Sequence, residues 1–234
     1  MKAIHRYRIY IIVAIYIVSI ACMFYPSYQR GRKQARINNL ITALNNSDWR
    51  ISRQAARDLG NIGPDANQAV LGLISKLDDP TVGTSAVEAL VKICDGDDNI
   101  VDILVNRVKT SDLNNTDSSI LSGAILQAME TIGPKVLPRI GEIITDKTQN
   151  KDVKLWAIAV VANMGPKAFS AVPWLLDALD SDDKQIKLHS LWALGEIGEA
   201  AKDALPKIEM LAQSSKDEDI LDATRKAIAK INAN

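Results

Sequence analysis

The chain has little of what metal sites and catalytic centres are usually built from. Its 234 residues include two cysteines, two histidines and two phenylalanines. Cys22 lies in an apolar N-terminal run and Cys94 far away in the main body, so cysteine can supply neither a disulfide framework nor a four-ligand zinc site. His5 belongs to a basic tail, which leaves His189 alone for the rest of the chain. Acids are missing from residues 1–36, which hold seven of the 28 bases, while residues 37–234 hold the other 21 and all 28 acids. The formal neutrality is therefore a cancellation of +7 against −7. A mildly acidic body without a basic stripe argues against nucleic acid as a partner, because such binders gather Lys and Arg on one face to displace counterions. Aromatic residues are also scarce, whereas Ala, Leu and Ile are abundant, as closely packed helices require.

What the first 36 residues do have is a long uncharged run. Ile9 to Gln29 is 21 residues without a charge, and at about 1.5 Å per residue it reaches roughly 30 Å, the thickness of a bilayer's hydrocarbon core. The pattern predicts a short basic tail over 1–8, a transmembrane helix or signal-anchor over 9–29, a basic juxtamembrane linker over 30–36 and a folded body over 37–234. Tyr10, Tyr25 and Tyr28 fit an interfacial aromatic belt, and Pro26 is expected to stop the helix. Arg30, Arg32, Lys33 and Arg36 are placed to rest on anionic lipid headgroups. Cleavage stays open beside an uncleaved anchor: Ser19-Ile20-Ala21 offers a small-x-small site, and Cys22 after it loosely resembles a lipoprotein acceptor. Flanking bases nearly balance across the run; the topology read from them puts the N-terminus in the cytoplasm and the body outside.

Beyond residue 37 the chain repeats itself. Leu40, Leu44, Ile51, Leu59, Gly60, Ile62 and Gly63 recur without a gap as Leu175, Leu179, Ile186, Leu194, Gly195, Ile197 and Gly198. With Gly63 marking the end of a first helix, its counterparts are Cys94, Gly133, Gly165, Gly198 and Asn232, at intervals of 31, 39, 32, 33 and 34 residues. The long interval points to an enlarged loop over the polar stretch Ser111 to Asp117. Apolar positions before each marker follow one helical stripe, as in Val153, Ala157, Val161 and Met164. Glycine closes each helix in a left-handed conformation, and Pro64, Pro134 and Pro166 prevent continuation. A second helix then opens, with proline in its first turn at Pro173 and Pro206.

The motif LGNIGP, its copies METIGP, VANMGP and LGEIGE, and second helices of the type AVPWLLDAL resemble the HEAT-like repeat family over residues 37–232. The resemblance implies an all-α, right-handed α-solenoid of about five helix pairs, framed by a leading second helix and a lone closing helix, with the second helices lining a concave binding surface. No pair of this size can bury its apolar stripe alone, so neighbours must stack. Arg225 in the closing helix stands where earlier units have Ala56, Val87, Leu126, Ile158 and Leu191, as suits a terminal cap.

Chemistry is hard to find. The paired His-Glu steps by which deoxyhypusine hydroxylase, a relative built of similar repeats, holds iron do not occur. Asp95 to Asn99 resembles the start of a calcium loop, but Ile100 and Asn106 stand where glycine and a bidentate glutamate are required. No cofactor, metal or catalytic residue is expected. The leading reading is a noncatalytic, membrane-anchored scaffold for an unidentified protein partner. An accessory lyase-like enzyme and a self-assembling structural subunit are the alternatives.

One contrast between units bears on the partner. On the face opposite the apolar stripe, units one and two carry polar residues such as Arg50, Arg57, Thr84 and Glu88. Units four and five carry Leu155, Trp156, Leu188, His189 and Trp192 instead. Adjacent repeats would set these side by side as an aromatic interaction patch, or the superhelical twist would bury them between units. Trp174, at the slot of Gly72, Arg139 and Lys207, is a further candidate on the second-helix face.

Overall fold

The computed structural model describes residue 23 and residues 25–233, apart from 96, 113 and 114. The expected transmembrane helix over 9–29 lies almost wholly outside the described residues. Within them the chain is helical and without strands. Helix α1 covers residues 25–44. Five pairs follow: α2 (Trp49–Ile62) with α3 (Val70–Ile74), α4 (Gly83–Cys94) with α5 (Asp98–Lys109), α6 (Thr116–Ile132) with α7 (Leu137–Thr145), α8 (Lys151–Met164) with α9 (Val172–Ala178), and α10 (Lys184–Ile197) with α11 (Leu205–Ser214). Helix α12 (Glu218–Asn232) closes the stack. The even-numbered helices pack consecutively in one layer and the odd-numbered ones form the other, around a core that runs unbroken from Ile37 to Ile231.

The layer of first helices owes its spacing to small residues at recurring positions. A methyl group added to Gly60 of α2 would lie 2.8 Å from the Ala89 Cα of α4. One added to Gly195 of α10 would lie 3.4 Å from the Ala227 Cα of α12. The residue three before a marker thus meets the residue five before the next one. That geometry accounts for Ile51, which the stripe would bury yet is 45% exposed: it stands on the side of α2 that a preceding first helix would cover, and α2 has none.

Each first helix is started by a side chain. Asp48, Asn115, Asn150, Asp183 and Asp217 cap α2, α6, α8, α10 and α12, each accepting from the backbone N–H two residues on. In α4 that work falls to Asp79, whose Oδ1 accepts from Thr81 N at 2.8 Å and Thr81 Oγ1 at 2.6 Å. The Thr81 bonds hold the Asp79 carboxyl below its ordinary range. Two caps are also tied to the preceding repeat. Lys151 Nζ lies 2.9 Å from Asp183 Oδ2, and Lys184 Nζ lies 2.7 Å from Asp217 Oδ2. These pairs are too solvated to add much stability, but they repeat at one register and align successive helix starts.

Several expectations from the sequence are corrected. Residues 25–44 form one helix with Pro26 near its start, so the stretch 30–36 read as a linker is helical, while the end of any helix before Pro26 lies outside the described residues. In a helix's first turn a proline ring holds φ at the helical value and forfeits only a donor that has no partner there. The long interval between units two and three is not an enlarged loop: α5 ends at Lys109 and α6 already opens at Thr116, so the extra residues lengthen these two helices. In unit two the left-handed residue is not Cys94 but Asp95, at φ 49°, a conformation Asp tolerates better than most side chains. The turns after Gly63, Gly165 and Gly198 are seven-residue 3₁₀ segments, kinked at Ala66, Ala168 and Ala201. Among the described residues one helical stretch, Lys151–Ala178, is long and apolar enough to cross a membrane, but most of its apolar window is buried in the solenoid.

Backbone conformation alone should separate two glycines. Neither Gly123, inside α6, nor Gly198 has an atom within 4 Å of where a Cβ would stand, yet Gly198 has φ 68° and ψ −140°. Gly198→Ala should lower unfolding free energy by about 1–3 kcal/mol, whereas Gly123→Ala should raise it by about 0.5–1 kcal/mol through helix propensity. Urea denaturation of the two variants measures both.

Candidate interaction surface

The aromatic residues singled out in units four and five do not share one exposed face. Trp156 is 7% exposed, and its Nε1 donates to the Ser122 carbonyl of α6 at 3.1 Å. It stands nine residues before its marker, on the side of α8 turned toward the preceding helix. Its place in the exposed patch is therefore withdrawn: the indole fills the α6/α8 seam. Leu155 and Leu188 are partly buried and packed on the core. Trp174 is partly buried and lies over α7, where a Cβ on Gly141 would come 2.6 Å from the ring. That slot tolerates an indole because residue 141 has no side chain.

Trp192 is different. It stands six residues before its marker, on the outer side of α10, and is 41% exposed. His189 approaches it edge-on with ring centroids 6.3 Å apart, while His189 Nδ1 lies 2.8 Å from the Gln185 carbonyl oxygen. Trp192 Nε1 donates to Glu196 Oε1 at 2.7 Å, and Lys230 Nζ of α12 reaches the same oxygen at 2.6 Å. The indole is thereby oriented by a carboxylate held from the next repeat. The Lys230 ammonium, aided by the Trp192 N–H and opposed by partial burial, keeps the Glu196 carboxyl below its usual range.

Beside Trp192 opens a groove of about 350 Å³ between α10 and α12. Leu191, Trp192 and Gly195 form one wall and Ala223, Ala227 and Lys230 the other. Its existence follows from one substitution in the repeat. Ala223 occupies the position that holds Trp156 in α8 and His189 in α10. Where that position is Trp156 the chain fills its own seam; where it is alanine the seam stays open. Ala124 of α6 has the same effect, leaving a groove of about 220 Å³ against α4 rimmed by Glu88, Lys92, Gln127 and Thr131.

The other exposed tryptophan is less available: Arg53 and Arg50 lie over the ring of Trp49 at 4.4 and 5.2 Å. Arg30, Arg32, Lys33 and Arg36 are all exposed on α1, which contributes nothing to the core before Ile37. Lys33 pairs with Asp65, and Arg32 lies 5.9 Å from the ring centre of Tyr28. Among the described residues no group of three His, Cys, Asp or Glu side chains converges as a metal site would require. Cys94 is partly buried, and burial raises its thiol pKa.

Stacked helix pairs sharing one continuous core define the class of protein as an α-solenoid. Residues 37–130 and 137–229 match the model of HEAT repeats, and the chain belongs to that family. Solved structures similar to it include two engineered proteins from a structural genomics consortium. One is 20% identical, covering 83% of this chain and 96% of that one at a TM-score of 0.41. The other is 21% identical, covering 84% and 58% at 0.44. A designed armadillo repeat protein is 20% identical, covering 83% and 99% at 0.39. No curated protein matches significantly.

The two indoles should respond oppositely to removal. Trp156→Ser should cost about 3–5 kcal/mol of unfolding free energy, as for other buried aromatic truncations, and Trp192→Ser less than about 1 kcal/mol. Thermal melts of each variant test this. Because the folded Glu196 pKa is depressed, the Lys230 pairing is fully present above the ordinary glutamate range and is lost as pH falls through the folded value. The fluorescence difference between the parent and Trp192→Phe should therefore change at a pH below that range. Lys230→Met should move the change upward; an unmoved midpoint would mean that Lys230 does not hold the carboxylate.

Proposed function

We propose that this chain is a membrane-anchored, noncatalytic scaffold that presents the outer face of α10 and α12 to a protein partner. The observation that carries the reading is Trp192: a large, partly exposed indole, held in place by Glu196, beside an open apolar groove. Surface tryptophans of this kind are favoured anchors of protein interfaces, since one rigid ring contributes much apolar area at little entropic cost. His189 and Leu188 flank it on α10. Trp174 and Leu155, partly buried, take the supporting role of positioning neighbouring helices.

The anchor is assigned to the uncharged run Ile9 to Gln29, whose residues 25–29 belong to α1. The exposed half of α1 bears Arg30, Arg32, Lys33 and Arg36 and no acid. A basic segment immediately beyond an apolar span suits a surface of anionic lipid headgroups. Because α1 continues as one helix into the first buried residue, Ile37, the solenoid would be held close to the bilayer in a defined direction, the N-terminus on the cytoplasmic side.

Crosslinking the full-length protein in native membranes, followed by purification, tests the scaffold. One stoichiometric companion should be recovered with the parent and be lost with Trp192→Ser, while Trp49→Ser leaves it bound. Equal recovery from both variants would end the assignment of the α10/α12 face. Alkaline extraction of the same membranes should leave the chain in the pellet; release into the supernatant would end the anchor.

A further inference from the structure

The α10/α12 groove carries its own indication of what fits it. At the equivalent α6/α8 seam the chain inserts an indole of its own: Trp156 lies between the helices, 7% exposed, with its Nε1 on a backbone carbonyl of the preceding helix. The α10/α12 seam is built on the same repeat but has Ala223 in place of that indole. It is therefore a seam that lacks the ring Trp156 supplies at its counterpart. On its wall the chain displays a half-exposed indole, Trp192, held through Nε1 by Glu196.

We propose that this groove receives Trp192 of a second copy of the chain, in a two-fold arrangement where each Trp192 enters the other copy's groove. The inference rests on the reading of this face as an interaction surface and names its occupant. Rim charge favours a second copy over a strongly charged partner. Of the charged residues, Lys226 and Lys230 line the groove and Glu196 stands beside Trp192, and each is already paired: Lys230 with Glu196 at 2.6 Å, and Lys226 with Asp222 at 2.6 Å. Charges already paired within the chain leave no field of one sign to attract a uniformly acidic or basic segment, whereas an apolar ring needs none. A two-fold contact requires only that donor and acceptor lie on one patch, and here the indole and the groove are adjacent.

The test uses the full-length protein purified in detergent and followed by sedimentation velocity over a roughly hundredfold dilution series. The parent should dimerise reversibly. Trp192→Ser removes the inserted ring, and Ala223→Trp fills the groove from within as Trp156 fills its own seam. Each should weaken the dimer by about tenfold or more. Ala124→Trp, which fills the α4/α6 groove, should leave it unchanged and controls for effects of a new indole or of the anchor. Circular dichroism establishes that each variant is folded; if Ala223→Trp is not, Trp192→Ser and the control still decide. A monomeric parent at every concentration, or a dimer indifferent to the groove and to Trp192, overturns the proposal. A monomeric parent that still recovers a foreign companion through Trp192 overturns self-association alone and leaves the scaffold reading standing.

Discussion

The architecture depends on how closely consecutive first helices approach one another. Gly60 against Ala89 and Gly195 against Ala227 bring backbones within van der Waals distance, and that approach lets a five-to-seven-residue second helix such as α3 or α9 complete a pair. Burial of Leu and Ile side chains then contributes about 1.5–3 kcal/mol each, but only because no gap is left between layers. Ion pairs such as Lys151–Asp183 lie outside this seam and follow its register. The same geometry leaves Ile51 half-exposed, because no first helix lies before α2 among the described residues, and Arg225 of α12 is exposed beside Asp222.

A seam tight enough to hold the solenoid together also decides where its surface is grooved. The position nine residues before each marker points into the gap between successive first helices. With tryptophan there, the gap becomes core and the indole finds a carbonyl partner, as Trp156 does with Ser122. With alanine, the same backbone spacing leaves a channel. A filled seam and an open one are thus alternative outcomes at one repeat position, and both occur within this one fold.

The repeat architecture was legible in the sequence because it is periodic: the helix pairs, the marker glycines and the unpaired first and last helices all follow from spacing. Three things were not. The 3₁₀ turns were missed although Ala66, Ala168 and Ala201 recur three residues after their glycines; alanine gives no hydropathy contrast, so the signal is positional only. The unit-two insertion was assigned to a loop because Ser111 to Asp117 is polar, while Asn115 is in fact the cap that lets Thr116 and Asp117 begin a helix. The aromatic site was half legible. Spacing placed Trp156 and Trp192 near one face, but they differ by three positions in register, and on a helix that rotation separates the inter-helix seam from open solvent. The groove itself is a missing side chain, Ala223, which sequence inspection does not flag.

The ends of the solenoid constrain how copies can associate. End-to-end growth, the natural hazard of a repeat stack, needs an apolar first face and an apolar last face. Here the leading side of α2 presents Gln54 and Asp58, bonded to each other at 3.0 Å, beside the half-exposed Ile51, and the trailing side of α12 presents Arg225. Stacking would desolvate Asp58 and Arg225, whose partners lie only on their own helices, and that desolvation is costly. Lateral contact through α10 and α12 meets no such barrier, since its charges are paired before contact and its centre is apolar. A lateral two-fold also closes on itself, so it yields a dimer and not a filament. On the proposed reading, with both copies tethered to one bilayer through α1, the contact needs only modest intrinsic affinity, because confinement raises the effective concentration of the second copy.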